Sequence, residues 1–314
     1  MTGVRVRPRR LVLVGSVVVD VLLYVDRLPD RGSDLLAREA VAGAGGGFNV
    51  LAAATRLGMP AAYGGRTGVG VFGEQARRAL QEVGIAALLP PDERADTGLV
   101  VGLVEPDGER TFVTVPGAES RLEPHELRAL PLRADDAVYV SGYDLVYPVS
   151  GRSLHEWLPS LSQDVLVAID TGPLVADIPA ERLRQVLRRA DLLSVSAREA
   201  SMLSGQHDPA HAVALLVGRL AEGGLVVVRA GARGCWLAGA GAEPLHVPGR
   251  PTHAVDSTGA GDAHVAAFLA RLSLGEDPAR AARAANVAAA LSVERAGSAT
   301  GPTAQELEAA LNGR

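Results

Sequence analysis

Lysine is absent from this 314-residue chain; all 31 of its basic residues are arginine. A Walker A loop needs a lysine on the nucleotide phosphates, and a Schiff-base enzyme needs one as its amine, so both mechanisms are excluded. Any phosphate chemistry must then use backbone N–H groups, arginine and metal ions. Cysteine occurs once, at Cys235, which excludes an internal disulfide and a cysteine-built metal cage and suits a reducing, cytoplasmic setting. Aromatic residues make up only 4% of the chain, so a core has to be built from Ala, Val and Leu; the 47% hydrophobic content suffices for one. Excess positive charge is missing too, and a net charge of −5 argues against a general nucleic-acid binder. No apolar run reaches the ~18 residues that crossing a bilayer requires.

Arg5, Arg7, Arg9 and Arg10 precede an apolar run over 11–19, a pattern that imitates an export signal. Asp20 and Asp26 interrupt it and no small-x-small cleavage site follows, so the run reads as a buried first strand. Strand-like segments over 11–18, 60–64, 137–141, 165–170, 191–195, 225–229 and 234–238 alternate with helix-like ones. The helical segments are 48–58, 72–83, 152–161, 180–189, 197–204, 209–222, 261–273, 277–294 and 304–312. Such alternation predicts an α/β fold: a mainly parallel sheet, helices on both faces, and ligands beyond the carboxyl ends of the strands. Segments 97–104 and 110–115 are joined by the turn Glu105-Pro106-Asp107-Gly108-Glu109, and 21–25 and 35–42 are available to pair with them. They form either a small antiparallel flap or an ordinary edge hairpin. No repeat or long linker divides the chain, so 1–314 is expected to be one domain, with flap strands within 21–42 and 97–115.

The richest segment is Asp256-Ser257-Thr258-Gly259-Ala260-Gly261-Asp262, which runs into an apolar helix. N–H groups at a helix start are unpaired and can hold an anion, and glycines let a phosphate approach them. A carboxylate in that first turn, Asp262, is placed to take a proton from a hydroxyl attacking a phosphoryl group. Earlier, Gly43-Ala44-Gly45-Gly46-Gly47-Phe48-Asn49 leads into another helix. It is either a backbone approach to a polyol with Asn49 on a hydroxyl, or a tight turn with Asn49 as N-cap. Asp20, just past the first strand, is either a sugar acceptor or a turn aspartate. Gly68-Val69-Gly70-Val71-Phe72-Gly73, with Asp92 downstream, matches a dinucleotide fingerprint but sits outside the first βαβ unit. Gly231-Ala232-Arg233-Gly234 is a nucleotide-contacting turn or a plain hairpin. His207 and His211 have no third ligand nearby, and no Gly-x-Ser-x-Gly elbow exists.

Together the early glycine-rich stretch ending in Asn49 and the late Asp256–Asp262 segment resemble the two signatures of the ribokinase-like (PfkB-type) carbohydrate kinases, in order and separation, over nearly the whole chain. Gly15-Ser16 with Asp20, Thr97-Gly98 through Gly108-Glu109-Arg110-Thr111-Phe112, and Val226–Gly234 are similar to its opening strand, lid hairpin and nucleotide turn. The resemblance implies a three-layer fold with a small β lid and ATP-dependent phosphorylation of a small sugar, with Asp262 as base and Gly259, Ala260 and Gly261 as anion hole. It implies that Asp20, Gly45, Gly46, Gly47, Asn49, Tyr143 and Arg110 hold the acceptor. Ser196, Glu199, Arg229, Gly231, Arg233, Gly234 and Asn286 would serve the nucleotide, with Mg²⁺ reached from Glu199 through water. Many relatives bind a monovalent cation such as K⁺; here Asp256, Thr258 and the Ser292, Arg295 and Gly297 loop would be its ligands. Ser196 stands where the family has Asn, His264 where Phe is usual, and Val18, Val71 and Ser141-Gly142-Tyr143 depart on the sugar side. These departures leave ribose doubtful. Pairing of lid strands between two copies would give a homodimer. A nucleoside kinase, a non-catalytic sugar or nucleotide sensor and a dinucleotide-dependent oxidoreductase are the competing readings.

Overall fold

A computed structural model describes residues 7–313, so Arg5 lies outside the described residues. Thirteen strands occur: β1 (Arg10–Leu13), β2 (Val17–Tyr24), β3 (Glu39–Gly46), β4 (Ala61–Tyr63), β5 (Ala86–Ala87), β6 (Leu99–Val104), β7 (Arg110–Val115), β8 (Asp136–Ser141), β9 (Leu166–Asp170), β10 (Leu192–Ser196), β11 (Leu225–Arg229), β12 (Cys235–Gly239) and β13 (Leu245–Val247). The α-helices are α1 (Phe48–Arg56), α2 (Val71–Glu82), α3 (Pro124–Ala129), α4 (Gly142–Val146), α5 (Pro148–Trp157), α6 (Ala180–Arg189), α7 (Ala197–Ser204), α8 (Pro209–Val217), α9 (Ala260–Ser273), α10 (Pro278–Val293) and α11 (Ala304–Leu311).

Nine strands form the central sheet in the order β13-β12-β11-β10-β9-β8-β1-β4-β5. Neighbours from β11 to β5 run parallel, and β12 and β13 fold back antiparallel at one edge. Alternation along β1 shows why the sheet is covered on both sides. Leu11 and Leu13 enter a core with α1, α9 and α10, while Val12 and its neighbour Val14 enter the opposite core with α5, α6 and α8. β8 to β11 are almost wholly buried, and their last residues, Ser141, Asp170, Ser196 and Arg229, come out together at one rim.

The other four strands make a second sheet, β3-β2-β6-β7. The β-branched run expected to be one strand over 11–18 is divided between the two sheets. Gly15 takes φ +152°, and a Cβ there would lie 2.0 Å from an Asp144 carboxylate oxygen, so only glycine makes the step. Asp20 therefore sits inside a lid strand rather than beyond the first strand. The glycine run, read as either a backbone approach to a polyol or a tight turn, continues strand β3 to Gly46, paired with β2 from Val17 to Tyr24. The lid strands are thus longer than the 21–42 expectation. Helix 209–222 stops at Val217, and the helix expected from 152 starts at Pro148. α9 and α10 run as expected; Asp277 caps α10 by accepting from the N–H groups of Ala279 (3.0 Å) and Arg280 (3.1 Å).

Candidate active site

Two cavities meet at the first turn of α9. One, of about 210 Å³, lies between the lid and the rim; Val18, Asp20, Val100, Phe112 and Thr114 line it from the lid, and Tyr139, Ser141, Tyr143, Tyr147 and Asp262 from below. The other, of about 380 Å³, is lined by Ser196, Arg229, Gly231, Gly234, Ala260, Gly261, His264, Asn286 and the apolar wall Ala289, Ala290 and Val293. Consecutive residues of one turn thus face different chambers.

That turn is built to stay open. Gly259 adopts the left-handed conformation (φ +73°) and no side chain caps the helix. Its backbone bonds among the described residues are a long one from the Ala260 N–H to the Ser257 carbonyl (3.3 Å) and the first helical bond, Ala263 N–H to the Gly259 carbonyl. The Gly259, Gly261 and Asp262 amides are therefore the open donors, with Ala260 already engaged. Asp262 occupies the third helical position. Burial, then Asp170, pushes its carboxyl up to about 6, while a hydrogen bond from Asn49 and the charge of Arg229 oppose the rise. Asp20 is also pushed up to about 6, by burial first and Asp262 second. Gly45 has no room for a side chain, since a Cβ would lie 2.0 Å from an Asp20 carboxylate oxygen. A Cβ on Gly47 would lie 2.5 Å from Leu13. Asn49 is the second residue of α1 rather than its cap; Gly47 is the N-cap.

On the nucleotide-like side two arginines, Arg229 and Arg250, line the cavity, and Arg229 is tied into a polar network. Its Nη1 donates to Asp170 (2.7 Å) and to Ser194 Oγ (2.7 Å), and Glu199 lies 3.9 Å away. Burial alone would lower its pKa; Asp170 and Glu199 more than offset that and keep it charged. A Cβ on Gly261 would lie 3.4 Å from the guanidinium carbon, so the charge rests against the open turn. Ser196 and Glu199 form a capping box on α7, in which Glu199 accepts from the Ser196 N–H at 2.7 Å. Asn286 donates to the carbonyls of Val247 (2.9 Å) and Pro248 (3.1 Å) and pairs with His264 Nε2 (3.2 Å). His264 is buried, and burial and then Arg229 drive its pKa down to about 3, so it is a neutral packed ring. Gly234 (φ +87°) would place a Cβ 2.2 Å from the Val247 carbonyl, which explains the glycine in this turn.

Two residues expected here lie elsewhere. Arg233 stands over the Trp236 ring, 5.5 Å from its centroid, and is not part of the cavity wall. Arg110 leaves the acceptor cavity to bind the Asp256 carboxylate. Conversely, sequence reading missed Asp170, Ser194, Tyr139 and Tyr147. Asp170 ends a strand expected to reach 170, so the rule that ligands gather beyond strand ends would have found it.

The dinucleotide fingerprint is filled by protein. Asp96 accepts from the N–H groups of Gly73 (2.8 Å), Phe72 (3.1 Å) and Thr97 (2.7 Å), so the start of α2 already holds its anion. His207 bonds Ser201, and no cluster of three or more His, Cys, Asp or Glu suited to a metal exists among the described residues.

The glycine-lined second cavity with a half-buried arginine fits a nucleotide. Mg²⁺ would be carried by nucleotide phosphates, with Glu199 near through water and no cage of protein ligands. Two of the expected monovalent-cation ligands, Asp256 and the Ser292 carbonyl, are already engaged by protein donors. Asp256 Oδ1 accepts from Thr258 N–H (2.7 Å) and from Arg110, and Oδ2 accepts from Gly297 N–H (3.0 Å). The Ser292 carbonyl accepts from Thr300 Oγ1 (3.0 Å) and Arg295 N–H (3.3 Å), and the Arg295 side chain turns to Glu306.

Comparison with known proteins places this site in a lineage. Residues 8–305 match the model of the pfkB family carbohydrate kinases. The chain belongs to that family. An uncharacterised sugar kinase of Escherichia coli, YegV, is 33% identical over 300 residues, spanning 95% of this chain and 92% of the relative. An ATP-dependent ribose-1-phosphate kinase of Halopiger xanaduensis is 30% identical over 310 residues (97% and 99%). The ribokinase of Arabidopsis thaliana, solved with ribose and ATP, superposes with a TM-score of 0.77 at 24% identity, covering 96% of this chain and 98% of that one. The fold is therefore ribokinase-like, and the protein is a sugar phosphotransferase acting on an alcohol group. Among the described residues no helix of this kinase is long and apolar enough to cross a membrane.

Proposed function

We propose that this kinase moves the terminal phosphoryl group of ATP to a hydroxyl of a small, uncharged sugar in the cytoplasm. One observation carries the reading: the α9 turn is the shared wall of two cavities, with Asp262 facing one and Gly261 the other. Asp262 takes the hydroxyl proton as the acceptor oxygen bonds to phosphorus and the bond to the departing diphosphate breaks. The Gly261 and Asp262 amides and Arg229 bear the charge gathering on the phosphoryl oxygens. Mg²⁺ would supply further neutralisation of the phosphates. Asp20 accepts hydrogen bonds from acceptor hydroxyls, and the rings of Tyr139, Tyr143, Tyr147 and Phe112 cover the carbon face.

The acceptor class follows from charge. Two carboxylates line the first cavity and no arginine or histidine does. A phosphorylated or carboxylated acceptor would meet two anions and no counter-charge. This separates the kinase from the relative that uses ribose 1-phosphate. A panel of free sugars, sugar phosphates and nucleosides, followed by ATP consumption, tests the reading. Turnover of a free sugar with loss in Asp262→Asn supports it; preference for a sugar phosphate refutes it. The four aromatic rings favour a nucleoside as the second reading, and turnover of adenosine above every sugar would establish that instead. Binding without turnover would indicate a sensor. We also read β7 as a pairing edge: Phe112, Val113 and Val115 are exposed on the outermost strand of the lid sheet, whose outer edge is unpaired, which suits a homodimer through the lids. A monomeric sedimentation mass would exclude it.

A further inference from the structure

We propose that Arg110 is the built-in cation of the phosphoryl-transfer site, so that this kinase needs no monovalent metal ion and charges its anion-binding loop only when the lid is closed. The inference rests on the kinase reading above. Asp256 begins the loop that leads into α9, and its carboxylate is buried. It ties three segments together: its own loop through Thr258, the segment after α10 through Gly297, and the lid through Arg110. An anion so close to a transferring phosphoryl group opposes the chemistry unless something neutralises it. The neutralising group here is a guanidinium from the first residue of β7, a partner 146 residues distant in sequence. Its side chain is 16% exposed, and its Nε is buried without a hydrogen-bond partner. Both carboxylate oxygens of Asp256, the one anionic ligand a potassium ion would find here, are already receiving donors.

A second consequence concerns order of events. β7 also carries Phe112 and Thr114 into the acceptor cavity. The strand that covers the sugar therefore delivers the charge, and an open lid leaves Asp256 uncompensated. An empty acceptor site is then also an electrostatically unfavourable place for phosphoryl transfer to water.

The test exchanges KCl for tetramethylammonium chloride at constant ionic strength, measuring both sugar phosphorylation and melting temperature. Wild type is expected to change by less than about twofold in rate and to melt at the same temperature with and without K⁺. Arg110→Ala should lose roughly tenfold or more in rate without K⁺. Adding K⁺ or free guanidinium should restore its rate, and K⁺ should raise its melting temperature. Arg110→Gln, which keeps part of the stem and a donor, serves if the alanine variant does not fold. Strong K⁺ activation of wild type, a variant indistinguishable from wild type without K⁺, or a loss that neither ion repairs would each overturn the proposal. If no acceptor is turned over under any condition, the kinase reading fails instead, and the melting arm still decides whether K⁺ enters only when Arg110 is gone.

Discussion

Replacing Asp262 by Asn should abolish turnover and at the same time make the protein more stable. The carboxyl is held at about 6 by burial and by Asp170, against an ordinary aspartate value of 3.8. Such a gap corresponds to at most about 3 kcal/mol of penalty for carrying the charge at neutral pH. The side chain still reaches the cavity, so solvent lowers the figure, and about 1–2 kcal/mol is expected. The sign follows from proton binding. Between the unfolded and folded values the native state holds a proton that the unfolded chain has lost, so wild-type stability falls as pH rises through this window and the penalty is complete above about 6. Asn carries no charge and should be more stable at pH 7.5, with the difference shrinking towards pH 4. Urea unfolding at several pH values measures it, and kinase assays measure the accompanying loss, at least about 10³-fold for a missing base aided by nothing else. In wild type kcat/KM should fall about tenfold per pH unit below about 6. A less stable Asn variant, or one retaining most activity, would refute the placement of Asp262 as a buried base.

Three further outcomes follow from other contacts. Gly45→Ala drives a methyl group onto Asp20, so KM for the sugar should rise about tenfold or more while KM for ATP stays put; equal changes in both would contradict the assignment. Arg229→Met leaves Asp170 buried without its partner, which should cost about 3–5 kcal/mol in urea unfolding and move the acid limb of the rate profile upward; an unchanged limb would place Arg229 outside the charge field of Asp262. Asp96→Ala uncaps α2 and should cost about 1–2 kcal/mol without any change in sugar or ATP kinetics, and a kinetic effect would show that the start of α2 serves the site after all.

Much of this was legible from residue order. Alternating buried strands and Ala-rich helices specify a covered parallel sheet, and the two glycine-bearing segments mark where backbone must come close to something. What escaped was anything decided by distant partners. The run from Leu11 to Val19 has the same β character throughout, and only the Asp144 carboxylate packed against Gly15 shows that the chain must change sheets there. Arg110 follows a turn that looked like a sugar-side lid tip, yet its partner lies 146 residues away. The Gly68–Gly73 segment carries the right letters for a dinucleotide, but Asp96 has taken the amides. Local pattern reports propensity; it does not report which donor is already satisfied.

The two-sheet arrangement also separates what can change from what cannot. The first cavity takes Val18, Asp20, Val100, Phe112 and Thr114 from β2, β6 and β7, whereas the α9 turn and Arg229 belong to the body that carries the central sheet. Substitutions at Val18, Val100, Phe112 or Thr114 can therefore redraw the list of accepted alcohols while the reaction centre is left alone. A lineage with this layout can acquire new diets cheaply, one lid residue at a time.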